Sequence, residues 1–189
     1  MRIALVQLTS SDDPSENLKA VTGFVDEAVE SGARFVLTPE VTNCVSASRT
    51  RQNEVLATEA EDKTLAAMRE AAAGHGIWLL IGSLALKVED DERFANRSIL
   101  ISPLGDIAAR YDKMHMFDVA ISDTETYRES DGYRAGDRAV LAAVDDVPVG
   151  LTICYDLRFP YLYRGLSKAG AKILTVPSAF SPDTGVAHW

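Results

Sequence analysis

Short apolar runs that alternate with helix-like segments constrain the fold of this chain more than any other feature. The runs are rich in β-branched and aliphatic residues, which is typical of buried strands. The helix-like segments repeat apolar residues every three or four positions. Strands are predicted at residues 2–8, 33–39, 77–86, 96–111 and 171–178, a hairpin at 139–154, and helices at 18–29, 62–74 and 161–169. This alternation indicates a single α/β layered domain with a largely buried sheet.

Glycine marks two of the predicted helix ends. Gly32 should follow the first helix and Gly74 should close the second, because glycine adopts a left-handed backbone without steric penalty. Between residues 117 and 137 the pattern fades into a polar stretch punctuated by glycine, which predicts a loop. We expect residues 119–137 to be the segment that determines substrate specificity.

Composition and charge exclude several classes of partner. The net charge of −9, without a cluster of Lys or Arg, argues against a nucleic-acid partner. The longest apolar runs are too short to span a membrane, so no membrane partner is expected. Met1 and Arg2 lead directly into a strand-like run rather than a leader sequence, and a cytoplasmic location is therefore expected. In that compartment Cys44 and Cys154 should be free thiols.

Three of the predicted strands are followed by a titratable side chain. Glu40, Lys113 and Cys154 each come just after an apolar run, and catalytic groups of α/β proteins lie at strand ends. Each signal is weak by itself. An acid after a strand is usually a solvated turn residue, a single Lys usually lies on the surface, and a single Cys usually packs as a small hydrophobe. The residues alone leave open whether Cys154 is core or nucleophile.

Five motifs in order along the chain resemble those of a known family. They are TPE (38–40), YDKMHMFD (111–118), YRES (127–130), ICYDLRFP (153–160) and PSAFSPDTGVAHW (177–189). On these motifs the chain resembles the nitrilase superfamily of carbon–nitrogen hydrolases over essentially its whole length. The last two are most similar to the Nit branch, which contains the deaminated glutathione amidases and the omega-amidases.

The resemblance implies a fold of known layer order. We expect an α/β, four-layer αββα sandwich of the nitrilase type. Relatives continue beyond TGVAHW with a helix and further strands, so residues 1–189 are expected to form a single carbon–nitrogen hydrolase domain that is truncated at its C-terminus. The family commonly pairs through helices that flank the site, which implies a homodimer or a higher homo-oligomer.

The resemblance also implies roles for four residues. Glu40 corresponds to the general base, Lys113 to the ammonium that stabilises the oxyanion, and Cys154 to the nucleophile of a Glu-Lys-Cys triad. Glu129 corresponds to a second glutamate that holds the lysine. These residue types suit amide hydrolysis, because an amide is a poor electrophile and a thiolate is a strong nucleophile. A free thiol has a pKa near ~8.5, so a base or a cation must activate it at neutral pH.

Three residues are expected to bind substrate. The backbone N–H of Tyr155 would contribute to the oxyanion site, and Phe180 belongs to the fifth motif. Arg158 either binds a substrate carboxylate or forms an ion pair within the scaffold. Tyr161 stands where the family commonly has an acidic residue, so any ion pair made by that acid is missing here.

Other residues with metal-binding or polar side chains are expected to play supporting parts. The three histidines lie far apart, and neither cysteine forms a CxxC or CxxH pair. No metal or cofactor is therefore expected. Cys44 should be a structural thiol, His115 should shape the site wall, Asn96 should be structural, and His188 could begin a helix.

The implied activity is hydrolysis of the terminal amide of a small carboxylic acid through a cysteine thioester, with release of ammonia. Deaminated glutathione is the expected small-molecule substrate, and α-ketoglutaramate, the substrate of omega-amidases, is the alternative. Two other functions stay open. One is a catalytically inactive nitrilase-like binding protein, and the other is a thiol-redox protein that uses Cys154, although no resolving cysteine lies nearby in the sequence.

Overall fold

The computed structural model describes residues 1–120, 126–180 and 185. Its helices are α1 (Pro14–Glu30), α2 (Arg49–Val55), α3 (Lys63–His75) and α4 (Pro160–Lys168). Its strands are β1 (Ile3–Leu5), β2 (Phe35–Leu37), β3 (Trp78–Val88), β4 (Asp91–Ile101), β5 (Ile107–Asp112), β6 (Asp118–Ala120), β7 (Thr126–Arg128), β8 (Tyr133–Arg134), β9 (Val140–Val144), β10 (Val147–Leu151) and β11 (Ile173–Thr175). Two short 3-10 turns, Glu129–Asp131 and Cys154–Arg158, complete the list.

The described strands form two main sheets and one small pair. The first sheet has the order β1-β2-β3-β4-β5, with β8 added beside β4. Its strands β1, β2 and β3 are parallel, whereas β3, β4 and β5 are antiparallel. In the second sheet β10 pairs antiparallel with β9 and parallel with β11. Strands β6 and β7 pair only with each other in the described part of the chain.

Alternate residues of the first sheet face two different apolar layers. One face, which includes Val36, Leu79 and Ile99, packs against buried residues of α1 and α3. The opposite face packs against the second sheet, and its members are Phe35, Leu80 and Leu100 on one side and Val144, Val149 and Leu151 on the other. Helix α4 covers the outer face of the second sheet, where Leu166 lies close to Gly150. The order helix, sheet, sheet, helix confirms the αββα sandwich.

Three details of the sequence prediction were wrong. Helix α3 runs through Gly74 and ends at Gly76, whose φ of 63° gives the left-handed cap. Gly32, with a φ of 81°, does follow α1 as predicted. The segment 117–137 is not a plain loop, because it holds β6, β7, β8 and the Glu129 turn. Helix α2 was missed, since its only buried residue is polar (Gln52) and gives no apolar repeat.

No described helix combines the length and the apolar character that crossing a membrane requires. His188, which could begin a helix, lies outside the described residues.

Gly82 in β3 allows the chain segments that carry the site to approach each other. A Cβ at this position would lie 2.1 Å from the carbonyl oxygen of Thr38 and 2.5 Å from that of Pro39. It would also lie 2.5 Å from the Cβ of Pro177. All three distances are far below van der Waals contact, so any larger residue would push these segments apart.

Replacing Gly82 by alanine should therefore destabilise the fold. We expect Gly82→Ala to lower the free energy of unfolding by about 1–3 kcal/mol through overpacking, which a shift in the midpoint of urea unfolding would measure. Gly23→Ala in α1 is the matched control, because no atom lies within 4 Å of its added Cβ. That control should stabilise the helix by up to ~1 kcal/mol. Equal midpoints for Gly82→Ala and the parent would contradict the packing argument.

Candidate active site

The structure brings the three predicted strand ends together at one cavity. Glu40 follows β2, Lys113 follows β5 and Cys154 follows β10. The cavity has a volume of about 350 Å³. All of the predicted site residues line it, namely Glu40, Lys113, Glu129, Cys154, Tyr155, Arg158 and Phe180.

A tight turn after β2 points Glu40 into the cavity. Val41 has a positive φ of 45°, an uncommon conformation for a β-branched residue. Neighbouring side chains hold this backbone in place: the N–H of Val41 donates to Ser83 Oγ at 2.7 Å, and Thr42 Oγ1 donates to the carbonyl of Pro39 at 2.7 Å. The turn is thus fixed on both sides of Glu40.

The ammonium of Lys113 lies between two carboxylates. Its Nζ is 2.9 Å from Glu40 Oε1 and 2.9 Å from Glu129 Oε2, and only 2% of the lysine is exposed. Burial alone would lower the pKa of Lys113, but the negative charges of Glu40 and Glu129 outweigh it and raise the pKa above its usual range. Lys113 is therefore a permanent cation at neutral pH.

Further donors hold the two carboxylates. The backbone N–H of Phe117 donates to Glu129 Oε2 at 2.7 Å, and that of Ala179 donates to Glu40 Oε2 at 2.9 Å. The side-chain amide of Asn96 donates to both glutamates, at 2.9 Å to Glu40 Oε1 and 3.3 Å to Glu129 Oε1. The sequence analysis assigned Asn96 only a structural part, because nothing in the sequence joins it to residues 33 and 56 positions away.

Cys154 begins a 3-10 turn with its backbone in the left-handed region, at a φ of 47°. Its N–H donates to the carbonyl of Pro177 at 2.9 Å, which joins the turn to the segment after β11. Burial, together with the negative charge of Glu40, raises the pKa of the thiol to about 12, although Lys113 opposes this shift. The resting thiol is therefore protonated at neutral pH.

Asp156 ties the Cys154 turn to the segment that carries Lys113. This carboxylate is fully buried. Its Oδ2 accepts from Tyr111 Oη at 2.6 Å and from the N–H of Ile153 at 2.8 Å. Its Oδ1 accepts from the N–H of His115 at 3.1 Å and lies 2.6 Å from the ring Nδ1. His115 was expected to shape the site wall, but it lies behind the wall, on Asp156.

Aromatic rings and small polar groups form the cavity wall. Phe117 packs edge-on against Tyr155, with ring centroids 5.1 Å apart. Arg158 and Phe180 are more exposed than Glu40, Lys113 and Cys154 and lie towards solvent. Cys44 also lines the cavity, and burial raises the pKa of its thiol. It packs with Leu56, Ala85, Phe94 and Tyr133 in a small apolar cluster, which agrees with a structural thiol.

Metal binding finds no support in the described residues, where no group of three or more His, Cys, Asp or Glu side chains could hold an ion. The polar groups of the site instead form hydrogen bonds with one another. The arrangement offers a thiol, a carboxylate and a fixed cation in one cavity, which are the kinds of group that acyl transfer from an amide uses.

Comparison with known proteins places this geometry in a family. The carbon-nitrogen hydrolase family matches residues 2–189. The chain is 37% identical over 190 residues to the deaminated glutathione amidase of Yersinia enterocolitica, covering 99% of this chain and 65% of that enzyme.

Two solved structures are similar over nearly the whole chain. The NitFhit protein of C. elegans superimposes with a TM-score of 0.91 at 34% identity, covering 99% of this chain and 46% of that one. A variant amidase from Nesterenkonia sp. AN1, solved after Michael addition of acrylamide at its active-site cysteine, gives a TM-score of 0.82 at 26% identity. That match covers 100% of this chain and 71% of the amidase. The chain thus spans less than two thirds of the Yersinia enzyme and about half of the NitFhit protein.

Substituting Asp156 tests its structural role. Asp156→Asn keeps the shape of the side chain but replaces one acceptor oxygen by a donor, which would face groups that themselves donate. We expect the free energy of unfolding to fall by about 2–4 kcal/mol, measured by urea unfolding, and the alkylation of Cys154 to slow.

The matched control for Asp156 is Asp137→Asn. Asp137 is exposed and pairs with its neighbour Arg138, and such surface pairs contribute little to stability. Its unfolding midpoint should stay at the parent value. If Asp156→Asn unfolds at the same urea concentration as Asp137→Asn, then Asp156 does not join the two segments.

Proposed function

The chain belongs to the carbon-nitrogen hydrolase family, and from this premise we propose that it is an amidase with Cys154 as its nucleophile. One observation carries the proposal: Lys113 lies 2.9 Å from Glu40 and from Glu129, and all three line one cavity with Cys154. A base, a cation and a thiol are the groups that amide hydrolysis through a thioester requires.

The first half of the reaction forms the thioester. Glu40 takes the proton of Cys154 as the sulfur attacks the amide carbon. The carbonyl oxygen becomes an oxyanion, which the Lys113 ammonium and the backbone N–H of Tyr155 stabilise. One such donor contributes ~3–4 kcal/mol to the transition state. Glu40 then gives its proton to the departing nitrogen, and the amine leaves as the C–N bond breaks: cysteinylglycine from deaminated glutathione, or ammonia from a primary amide such as α-ketoglutaramate.

The second half hydrolyses the thioester. Glu40 removes a proton from water, whose oxygen attacks the thioester carbon, and the same donors stabilise the second oxyanion. The C–S bond breaks, the proton returns to sulfur, and the carboxylic acid leaves. Glu129 keeps Lys113 in place throughout, since it accepts from Nζ with both of its oxygens, at 3.0 and 2.9 Å.

The substrate is proposed to be deaminated glutathione. The similarity of the chain to the Yersinia deaminated glutathione amidase supports this choice. The substrate carries a carboxylate beside the chain that bears the amide, and Arg158 on the cavity wall can hold a carboxylate through two parallel hydrogen bonds. The alternative is α-ketoglutaramate, which presents a similar carboxylate.

The role of Glu40 as a base predicts a particular pH profile for Cys154. In the parent protein, iodoacetamide should alkylate Cys154 at a rate nearly independent of pH between about pH 7 and 9, because Glu40 accepts the proton as the bond forms. Glu40→Gln should react about 100-fold more slowly at pH 7 and speed up about tenfold per pH unit, since only the free thiolate reacts. Loss of the Glu40 charge lowers the pKa of Cys154, so this rise should level off below pH 12.

Two controls accompany this pH profile. Cys154→Ala should abolish the fast alkylation, which shows that the signal does not come from buried Cys44. Glu54→Gln changes an exposed carboxylate of α2, which pairs with Arg51, and should keep the parent profile. Parallel profiles for the parent and Glu40→Gln would refute the base assignment.

The substrate prediction is tested by the release of cysteinylglycine from deaminated glutathione and of ammonia from α-ketoglutaramate and simple nitriles. We expect kcat/KM to be highest for deaminated glutathione, lower for α-ketoglutaramate and small for simple nitriles. Arg158→Gln should raise KM for the two carboxylate substrates about 10- to 100-fold, the loss of one charge-assisted pair. A preference for α-ketoglutaramate would make the protein an omega-amidase, and absence of turnover with an alkylatable Cys154 would indicate a binding protein.

Arg164→Gln is the control for Arg158. Arg164 lies on α4 about one and a half turns further along the chain, is exposed, and does not line the cavity. Its loss removes the same charge from the same region of the surface. An equal rise of KM in both variants would mean that Arg158 acts only through the overall field of the protein.

A further inference from the structure

We propose that Asn96 is a positioning residue for the reaction: its side-chain amide fixes the Glu40 carboxylate so that Oε2 is the oxygen available to the Cys154 thiol. The inference rests on the proposed role of Glu40 as the base. It concerns a residue to which neither the family match nor the similarity to known amidases assigns a part.

The amide closes a ring of four side chains. Both Asn96 Nδ2 and Lys113 Nζ donate to Glu40 Oε1, each at 2.9 Å. The same two groups donate to Glu129 Oε1, at 3.3 and 3.0 Å. Each of the two carboxylates thus accepts from both Asn96 and Lys113. Neither carboxylate can rotate without breaking its hydrogen bonds to these two donors.

This ring determines which oxygen of Glu40 faces the nucleophile. Oε1 is occupied by Asn96 and Lys113, so Oε2 is the oxygen left for a proton. Oε2 accepts from the backbone N–H of Ala179 at 2.9 Å, and the same N–H also interacts with Cys154. The thiol and Oε2 therefore lie side by side at Ala179, which is the geometry that proton transfer needs.

Asn96 is itself rigidly held. It lies in the middle of β4, opposite Ala85 of β3, and is 2% exposed. Its backbone carbonyl accepts a hydrogen bond from the backbone N–H of Lys113 at 2.9 Å. One residue of the sheet therefore fixes the backbone of Lys113 and, through its side chain, the two carboxylates that pair with Lys113.

The orientation of the amide leaves its oxygen unpaired. Asn96 Oδ1 is buried, and no donor among the described residues lies within hydrogen-bonding distance of it. Rotating the side-chain amide by 180° would not give Oδ1 a donor, because Oδ1 would then face the two carboxylates of Glu40 and Glu129. Burying an unpaired acceptor is unfavourable, so an asparagine used only for stability is a poor choice here. A buried polar atom that lacks a hydrogen-bond partner is typical of functional sites.

A neutral donor has a further advantage at this position. The cluster already contains two carboxylates and one ammonium, and an amide orients Glu40 without changing that charge. A carboxylate at the same position would add repulsion, and an alanine would leave Glu40 Oε1 to Lys113 alone. Asn96→Asp and Asn96→Ala are therefore the informative substitutions.

The test measures the alkylation of Cys154, which needs no substrate, in Asn96→Ala and Asn96→Asp. We expect the rate at pH 7 to fall about 10- to 100-fold in both, since small misplacements of a reacting group have effects of this size. The pH profile should change from flat to rising, towards that of Glu40→Gln. With deaminated glutathione, kcat should fall by the same factor while KM changes less than about twofold, because the substrate carboxylate is proposed to contact Arg158 and not Asn96.

A double-mutant cycle separates positioning from a general loss of structure. If Asn96 acts through Glu40, adding Asn96→Ala to Glu40→Gln should slow alkylation by less than about twofold further. Independent, multiplying effects would overturn the proposal, and so would parent-like alkylation in Asn96→Ala.

Asn17→Ala is the matched control. Asn17 is 4% exposed and donates to two backbone carbonyls, but it lies in α1 and does not line the cavity. It should lose stability and keep the parent alkylation profile. If Asn96→Ala behaves in the same way, Asn96 is structural only. Because alkylation displaces iodide and cleaves no amide, failure of the proposed function would appear as absence of amide hydrolysis in the parent and would leave this test intact.

Discussion

The buried ammonium of Lys113 determines how the rest of the site is built. Removing an ion from water is so unfavourable that a buried lysine needs close opposite charges. Here Glu40 and Glu129 supply them, from the end of β2 and from the turn after β7. The chain segments that carry these residues must therefore approach within hydrogen-bonding distance. Gly136 permits one such approach, because its N–H donates to the carbonyl of Lys113 and a Cβ there would lie 2.2 Å from the carbonyl of Asp112.

The same charges explain why Cys154 rests as a thiol. Two carboxylates and one ammonium leave an excess negative charge in the cluster, and a thiolate would add a second. The raised pKa of Cys154 follows from its burial and from the charge of Glu40. In the proposed reaction charge moves only as the substrate arrives: the proton goes to Glu40, and the negative charge passes to a carbonyl oxygen near Lys113. For that proposal the electrostatics favour concerted attack over a stored thiolate.

Local sequence patterns predicted what depends on local structure. The apolar runs before Glu40, Lys113 and Cys154 predicted that these residues lie at strand ends. This was possible because the apolar pattern of a buried strand is visible in consecutive residues. The contacts of Asn96 with Glu40 and of Tyr111 with Asp156 span 56 and 45 positions. No local pattern encodes such distances, and both were missed. Helix α3 passed the predicted stop at Gly74 because a glycine inside a helix is tolerated when a better cap follows two residues later.

Charge within the cavity, rather than the net charge of the chain, decides how a substrate carboxylate is received. The chain carries −9 overall, but exposed charges are screened over about 8 Å at physiological ionic strength. Among the described residues that line the cavity, the cations are Lys113 and Arg158. Lys113 pairs with two carboxylates, and in the proposed reaction it stabilises the oxyanion. The carboxylate contact proposed for the substrate therefore falls at Arg158, towards solvent, whereas the proposed amide chemistry falls at the buried ion cluster around Lys113.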